Sequence, residues 1–87
     1  MDMRRLVGRN FARLRQAKRL TQEQVSDRSG FAQQYLSGLE QGRRNPTVVT
    51  LYELAEALGV HYLELLQPDD GKESPPRRRR RGGRTKT

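Results

Sequence analysis

The stretch from Thr21 to Glu40 constrains the fold more than any other part of this chain. Its sequence, TQEQVSDRSGFAQQYLSGLE, contains two short helix-forming segments on either side of Gly30. Thr21 and Gln24 have the spacing of a capping box, in which the two side chains satisfy free backbone N–H groups at a helix start. Glycine adopts a left-handed backbone at little cost, so Gly30 predicts the end of the first helix and a tight turn into the second.

The second segment, residues 33–41, combines a core-facing stripe with a polar outer side. Leu36 and Leu39 are three residues apart and therefore share the face that points into the core. The outer side carries amide and hydroxyl groups, from Gln33, Gln34, Ser37 and Gln41. A glutamine amide can pair bidentately with adenine in the major groove of DNA. The pattern thus favours a helix that enters this groove while the other helices hold it in place.

Hydrophobic periodicity predicts three more helices and no strand, so the expected fold class is all-α. The first runs from Met3 to about Arg19, the next from about Val48 to Leu58, and the last from about Tyr62 to Gln67. Their apolar stripes are Val7, Phe11 and Leu14, then Leu51, Leu54, Ala55 and Leu58, and finally Leu63 and Leu66. The last two leucines share one face, which belongs either to the core or to a dimer contact.

The composition argues against several classes of site. The 87 residues suggest one domain, there is no cysteine, and His61 is the only histidine. A lone histidine without clustered carboxylates lacks the partners of a metal or catalytic site, so we expect no enzyme, no metal ion and no cofactor. No apolar run approaches the ~20 residues of a membrane span, and the N-terminus has no secretory signal pattern, which favours a soluble cytoplasmic protein.

The net charge of +8 fits a polyanionic partner, although positive charge alone fits a purely solubilising role equally well. Residues 69–87 contain eight basic and three acidic side chains and no hydrophobic residue. We therefore expect a disordered basic arm there, after a folded domain at residues 1–68. Its arginines are Arg77, Arg78, Arg79, Arg80, Arg81 and Arg84. They have three interpretations: a solvated tail, non-specific phosphate contacts, which we favour, or insertion into a narrow minor groove.

From Val7 to Leu66 the chain closely resembles the phage-repressor and Cro-type helix-turn-helix proteins, the XRE family. The matching strings are VGRNFARLRQAKRLTQEQVS, YLSGLEQGRRNPT and LYELAEALGV. The resemblance implies a compact five-helix bundle, the lambda-repressor-like DNA-binding domain, with residues 33–41 as its recognition helix. It also implies binding to double-stranded DNA, and usually dimerisation on a two-fold-related site.

The resemblance assigns DNA contacts to individual residues of this chain. The base-contacting positions are Gln33, Gln34 and Ser37, and the phosphate-contacting positions are Gln22, Tyr35, Arg43 and Arg44. Tyr35 has two alternatives, a contact with a thymine methyl group and packing against the next helix. Gly38 matches a further groove-facing position but has no side chain with which to read a base.

Arg15 and Glu40 match an ion pair that the family forms between its first and third helices. The resemblance leaves Arg15 evenly balanced between this pair and a phosphate contact, whereas Glu40 is assigned to structure because phosphate would repel its carboxylate. Three residues depart from the family pattern. Ser26 stands where alanine is common, which is a mild change. Ala32 is a poor cap for the recognition helix, and His61 stands where a serine often caps the last helix.

These features lead us to expect a sequence-specific transcriptional regulator, with repression by blocking RNA polymerase as the simplest mechanism. A dimer on a short palindromic operator would bring together the two last helices, where Tyr62, Leu63 and Leu66 lie. The alternatives are an antitoxin or a restriction-modification controller protein with the same domain, whose protein partner would be a toxin or RNA polymerase. A non-specific nucleic-acid-coating protein driven by the arm is a third hypothesis. A regulator of this kind would work in the cytoplasm, associated with the nucleoid.

Overall fold

The computed structural model describes residues 2–68, which form four α-helices and one 3₁₀ helix. The elements are α1 (Met3–Ala17), α2 (Gln22–Ser29), α3 (Gln33–Glu40), α4 (Val48–Leu58) and the 3₁₀ helix (Tyr62–Leu66). No strand occurs among these residues, so the prediction of an all-α fold is confirmed. The last of the five expected helices is a 3₁₀ helix rather than an α-helix. The predicted arm at residues 69–87 lies outside the described part of the chain.

Helix boundaries follow the capping residues that the sequence displays. The backbone N–H of Gln24 donates to Thr21 Oγ1 at 3.0 Å, and Thr21 N–H donates to Gln24 Oε1 at 2.8 Å, which completes the predicted capping box of α2. Gly30 ends α2 in the left-handed region with φ 82°. His61 caps the 3₁₀ helix, since its Nδ1 accepts a hydrogen bond from Leu63 N–H at 3.1 Å. Of these, the left-handed turn at Gly30 is the one that places α3 directly after α2.

The buried core is one cluster to which all four α-helices and the 3₁₀ helix contribute. Its largest fully buried side chains are Phe11, Val25, Leu36, Leu39, Leu54, Leu58 and Leu65. Leu36 and Leu39 fasten α3 to this core by the leucine face that the sequence predicts. Burial of such a side chain contributes roughly 1.5–3 kcal/mol, so the two leucines together hold the helix firmly.

The 3₁₀ helix buries a different leucine from the two that form its apolar stripe. Leu65 has no exposed surface, whereas Leu63 is 54% exposed and Leu66 is 37% exposed. A 3₁₀ helix has three residues per turn, so Leu63 and Leu66 eclipse one another on a common face. That face points outward, and Leu65 takes the core position.

Asn10 is a buried polar residue that ties α1 to the end of the described chain. Its Nδ2 donates to the carbonyl oxygens of Leu65 and Gln67, both at 2.9 Å, and its Oδ1 accepts from Arg13 Nη2 at 3.1 Å. Buried amides are costly unless they are hydrogen-bonded, and here both polar atoms have partners. Asn10 therefore holds the 3₁₀ helix against α1.

Gly8 permits a close approach between α1 and α3. A Cβ atom at this position would overlap the backbone oxygen of Leu39 and lie 3.1 Å from the backbone oxygen of Glu40. These backbone atoms cannot rotate out of the way. The absence of a side chain at Gly8 therefore sets the distance at which α1 supports the C-terminal end of α3.

Candidate DNA interface

The N-terminal end of α3 projects two amide side chains into solvent. Gln33 and Gln34 are both exposed, and the preceding residue, Ala32, makes no side-chain cap hydrogen bond. The first backbone N–H groups of α3 are thus left uncapped, and the helix dipole places partial positive charge at the same end. The tip of α3 consequently presents hydrogen-bond donors and acceptors together, in a form that suits base edges and phosphates.

A network of three side chains fixes the opposite end of α3 to α1 and α2. Arg15 of α1 donates through Nε to Glu40 Oε2 at 2.6 Å and through Nη2 to Glu40 Oε1 at 3.1 Å. Arg15 Nη1 also donates to the carbonyl oxygen of Leu20 at 2.7 Å, and Gln22 Nε2 donates to Glu40 Oε1 at 3.1 Å. The two charged side chains are only 13% and 12% exposed. The geometry assigns Glu40, and with it Arg15, to the ion pair between helices.

Gln22 lies at the start of α2, where the resemblance places a phosphate contact. One N–H of its side-chain amide is used by Glu40, but a primary amide has two N–H groups. The second can donate to a phosphate oxygen while the first remains bound to Glu40. Arg15 neutralises the Glu40 carboxylate, so this arrangement does not set a bare negative charge beside the amide.

Tyr35 is half-buried between an aromatic ring and a guanidinium group. Its ring stacks on Phe31 with centroids 5.3 Å apart and an interplanar angle of 20°. The guanidinium carbon of Arg44 lies 5.4 Å from the Tyr35 centroid, within the range of a cation–π interaction. Burial raises the pKa of the Tyr35 phenol, and the positive charge of Arg44 partly opposes this rise. The phenol is therefore neutral at physiological pH and retains a hydrogen atom that it can donate.

A shallow groove follows the outer side of α3 and ends at the loop that leads to α4. Its lining residues are Gln34, Ser37, Gly38, Gln41, Arg43 and Arg44. Hydrogen bonds link three of them in a row, because Arg43 Nη2 donates to Gln41 Oε1 and Gln41 Nε2 donates to Ser37 Oγ at 3.2 Å. The structure thus brings six of the predicted contact residues to one surface, including Gln33 at its tip and Tyr35 beneath Arg44.

Gln41 belongs to this surface although no contact was assigned to it from the resemblance. Its position was visible in the sequence, since Gln34, Ser37 and Gln41 follow the i, i+3, i+7 spacing of one helix face. The two remaining predicted contact residues, Arg15 and Gln22, lie in the ion-pair network and not along the groove.

Residues 2–68 contain no group of three His, Cys, Asp or Glu side chains placed to hold a metal ion. None of the helices in the same range is long and apolar enough to cross a membrane.

Two short helices joined at a left-handed glycine, with an exposed polar face on the second, define the class of helix-turn-helix proteins. A family model described as "Helix-turn-helix" matches residues 11–65, which is more than half of the chain. The chain belongs to this helix-turn-helix family, and the family resemblance stated from the sequence is confirmed.

Relatives resemble this chain in sequence, and solved structures resemble it in fold as well. It is 73% identical over 70 residues to the "Uncharacterized HTH-type transcriptional regulator y4dJ" of Sinorhizobium fredii, covering 80% of this chain and 91% of that protein. The restriction-modification controller protein C.AhdI from Aeromonas hydrophila is 37% identical with a TM-score of 0.68, covering 71% of this chain and 94% of that one. The controller protein C.Esp1396I, solved as a tetramer with its natural 35-base-pair operator, is 25% identical with a TM-score of 0.68, covering 77% and 99%.

Proposed function

We propose that this protein is a transcriptional regulator that binds double-stranded DNA in a sequence-specific way, with α3 in the major groove. The observation that carries the proposal is the exposed pair Gln33 and Gln34 at the tip of a helix whose other end is fixed by a buried ion pair. Amides on a rigid support can discriminate base edges, whereas amides on a mobile loop would pay an ordering cost on binding. The similarity to the regulator y4dJ supports the same assignment.

The contacts divide into those that read bases and those that position the protein. Gln33 and Gln34 pair with adenine edges, and Ser37 contacts a base from further along the groove. Gln22 and Arg43 meet phosphates on either side, because they lie at the start of α2 and in the loop after α3. Tyr35 donates its phenol hydrogen to a phosphate, and Arg15 remains in the ion pair.

We infer that the regulator acts as a homodimer, because α4 and the 3₁₀ helix both expose large apolar side chains. These are Val48, Val49, Tyr52, Tyr62, Leu63 and Leu66. The rings of Tyr52 and Tyr62 lie 6.2 Å apart, so the exposed residues of the two elements meet at this point. Exposed apolar patches of this kind mark interaction sites. Two recognition helices related by a two-fold axis would then bind half-sites one helical turn, ~34–36 Å, apart.

Sedimentation of the wild type and of Leu63→Glu tests the dimer. Leu63 is more than half exposed, so the glutamate should not disturb the core, and thermal unfolding checks this. A dimeric wild type and a monomeric Leu63→Glu variant are the expected results. A wild type that remains monomeric both free and on its operator would rule the dimer out.

The basic arm at residues 69–87, beyond the described domain, is proposed to add non-specific phosphate contacts. Deletion of residues 75–87 removes Arg77–Arg81 and Arg84 and should weaken binding to all duplexes while flattening its salt dependence. Unchanged affinity and an unchanged salt slope after deletion would leave the arm as a solvated tail.

The sign of regulation follows from where the operator lies, and repression by blocking RNA polymerase is the simplest outcome. Control of a restriction-modification system, including activation, is the second candidate, favoured by the match to C.AhdI over 94% of that chain. A reporter with the selected operator upstream of the promoter distinguishes activation, which raises its expression, from simple repression, which leaves its expression unchanged. A regulator of either kind acts on chromosomal DNA, so we expect the protein in the cytoplasm with the nucleoid.

Selection of bound duplexes from a random pool is the decisive experiment for the proposed function. It reports sequence preference, symmetry and half-site spacing together. The expected result is a short palindrome with adenine-containing half-sites one helical turn apart. Recovery of unrelated sequences, with equal affinity for random duplexes at two salt concentrations, would identify a non-specific coating protein instead.

A further inference from the structure

Gly38 is a position of α3 in the middle of the groove where the helix itself presents no side chain. The space above it is nevertheless filled. A Cβ atom built on Gly38 would lie 2.9 Å from Nε, 3.4 Å from Cγ and 3.7 Å from Cδ of Arg44. The stem of Arg44 therefore lies across the helix at the place where a side chain of residue 38 would begin.

The turn after α3 explains why the chain brings Arg44 back onto the helix. Gly42 adopts a left-handed conformation with φ 78°. The backbone N–H of Arg43 donates to the Gly38 carbonyl oxygen at 2.8 Å, and Gly42 N–H donates to Leu39 oxygen at 3.0 Å. This pair of hydrogen bonds is the Schellman motif, which ends a helix and reverses the chain. Residue 44 consequently leaves the turn alongside the last turns of α3.

A second contact holds the guanidinium group of Arg44 in place. It lies over the ring of Tyr35, and Tyr35 is itself stacked on Phe31. Arg44 is thus supported at its stem by Gly38 and at its head by an aromatic face. A side chain restrained at two points loses less entropy when it binds, which favours specific recognition over a loose charge contact.

We propose that Arg44 reads a guanine in the major groove and that Gly38 is the gap through which it does so. The proposal rests on the proposed function and replaces the phosphate contact that the resemblance assigns to Arg44. The planar guanidinium fork matches the O6 and N7 acceptors of guanine, and this pairing is the commonest specific contact in the major groove. Arg43, whose guanidinium is hydrogen-bonded to Gln41, keeps the phosphate contact in the same loop.

Two substitutions perturb this contact without removing its charge. Arg44→Lys keeps the positive charge but loses the bidentate fork. Gly38→Ala keeps Arg44 and places a methyl group where its stem lies, which forces the far part of this flexible side chain to move. Arg43→Gln in the same loop serves as the reference for a phosphate contact. Affinities are measured for the selected operator and for duplexes in which each base pair of a half-site is changed in turn, at two salt concentrations.

Arg44→Lys and Gly38→Ala should each lose about tenfold of the preference at one and the same G·C pair, with the salt slope unchanged. Arg43→Gln should weaken binding to every duplex and lower the salt slope by about one. Thermal unfolding checks that each variant is folded. If Gly38→Ala is not folded, Arg44→Lys alone is sufficient to test the proposal.

Retention of the full wild-type preference by Arg44→Lys would overturn the proposal. A further variant, Arg44→Gln, removes the charge of this residue. The same conclusion follows if it weakens binding to all duplexes equally and lowers the salt slope, because that is the behaviour of a phosphate contact. A wild type with no sequence preference at all would instead refute the proposed function, so the two failures are distinguishable.

Discussion

Replacement of Glu40 by alanine is expected to be among the most destabilising single changes in the described domain. Glu40 accepts three hydrogen bonds, two from Arg15 and one from Gln22, and so links α3 to both α1 and α2. In the intact protein the Arg15 side chain is only 13% exposed, and removal of Glu40 leaves it one hydrogen-bond partner, the Leu20 carbonyl oxygen. A partly buried charge is then left without its counter-ion.

The magnitude follows from the cost of an uncompensated charge. Breaking a buried ion pair by removing one partner costs roughly 3–5 kcal/mol. Arg15 keeps some exposure to solvent and its hydrogen bond to the Leu20 carbonyl oxygen, which favours the lower end of this range. We therefore expect Glu40→Ala to lower the free energy of unfolding by about 3 kcal/mol. A domain of this size has a total stability of roughly 3–10 kcal/mol, and the loss should lower its Tm by roughly 12–24 °C.

Urea and thermal unfolding, followed by circular dichroism, measure this loss in Glu40→Ala and in a double-mutant cycle made of Arg15→Met, Glu40→Leu and Arg15→Met/Glu40→Leu. The matched pair of apolar side chains should recover most of the stability, to within about 1 kcal/mol of the wild type, because neither charge is then left alone. The reasoning would be refuted if the double variant lost as much free energy of unfolding as the two single variants together. A Glu40→Ala variant that loses less than about 1 kcal/mol would refute it too.

Three further predictions concern the packing, the capping and the reading surface of α3. Gly8→Ala should cost roughly 2 kcal/mol of unfolding free energy, since overlap with the backbone of α3 outweighs the gain of about 1 kcal/mol in helix propensity. Gly38→Ala, which meets only a flexible side chain, is the control that should keep its stability in urea unfolding. Ala32→Ser should raise stability by about 1 kcal/mol by capping α3, and an unchanged Tm would mean that those N–H groups are already satisfied. Gln33→Ala and Gln34→Ala should each relax the preference at one base pair by about 1–3 kcal/mol in competition binding, and if both keep the wild-type preference, bases are read elsewhere.

Elements delimited by local signals were predictable to the residue. The predicted bounds of α4 coincide with Val48–Leu58, because Thr47 caps its start and Gly59 turns left-handed at its end. The sequence predicts a first helix that extends to about Arg19, whereas α1 ends at Ala17. Arg19 takes a left-handed conformation with φ 59°, which long side chains rarely adopt. Nothing in its residue type signals such a turn, so the sequence could not place it.

The 3₁₀ helix shows where periodicity alone is insufficient. The spacing of Leu63 and Leu66 correctly predicts that they share one face, but three leucines within four residues do not reveal which one lies in the core. Asn10 of α1 determines the outcome by binding the carbonyl oxygens of Leu65 and Gln67. These partners are 55 and 57 residues away in the chain, and no local pattern connects them.

At the candidate DNA interface, too, some side-chain positions follow from the local sequence and others depend on residues far away in the chain. Exposure of Gln33 and Gln34 follows from the helical positions of Leu36 and Leu39, which a sequence displays directly. The positions of Gln22 and of the arginines after α3 depend on side chains from other turns and helices. Arg44 in particular reaches the groove because Gly38 of α3 leaves room for its side chain. The family resemblance assigns Arg44 a phosphate contact by its position in the sequence and does not take this contact with Gly38 into account.

The ion pair connects the stability of the domain to its affinity for DNA, and the two single variants separate these effects. Arg15→Met leaves a bare Glu40 carboxylate beside Gln22, the proposed phosphate contact, so the phosphate is repelled. Glu40→Ala leaves a bare guanidinium in the same place, which attracts it. The variants should therefore lose stability alike but shift DNA affinity in opposite directions when both are measured well below their Tm. Equal loss of affinity in the two would mean that the network acts on DNA only by holding α3 in place.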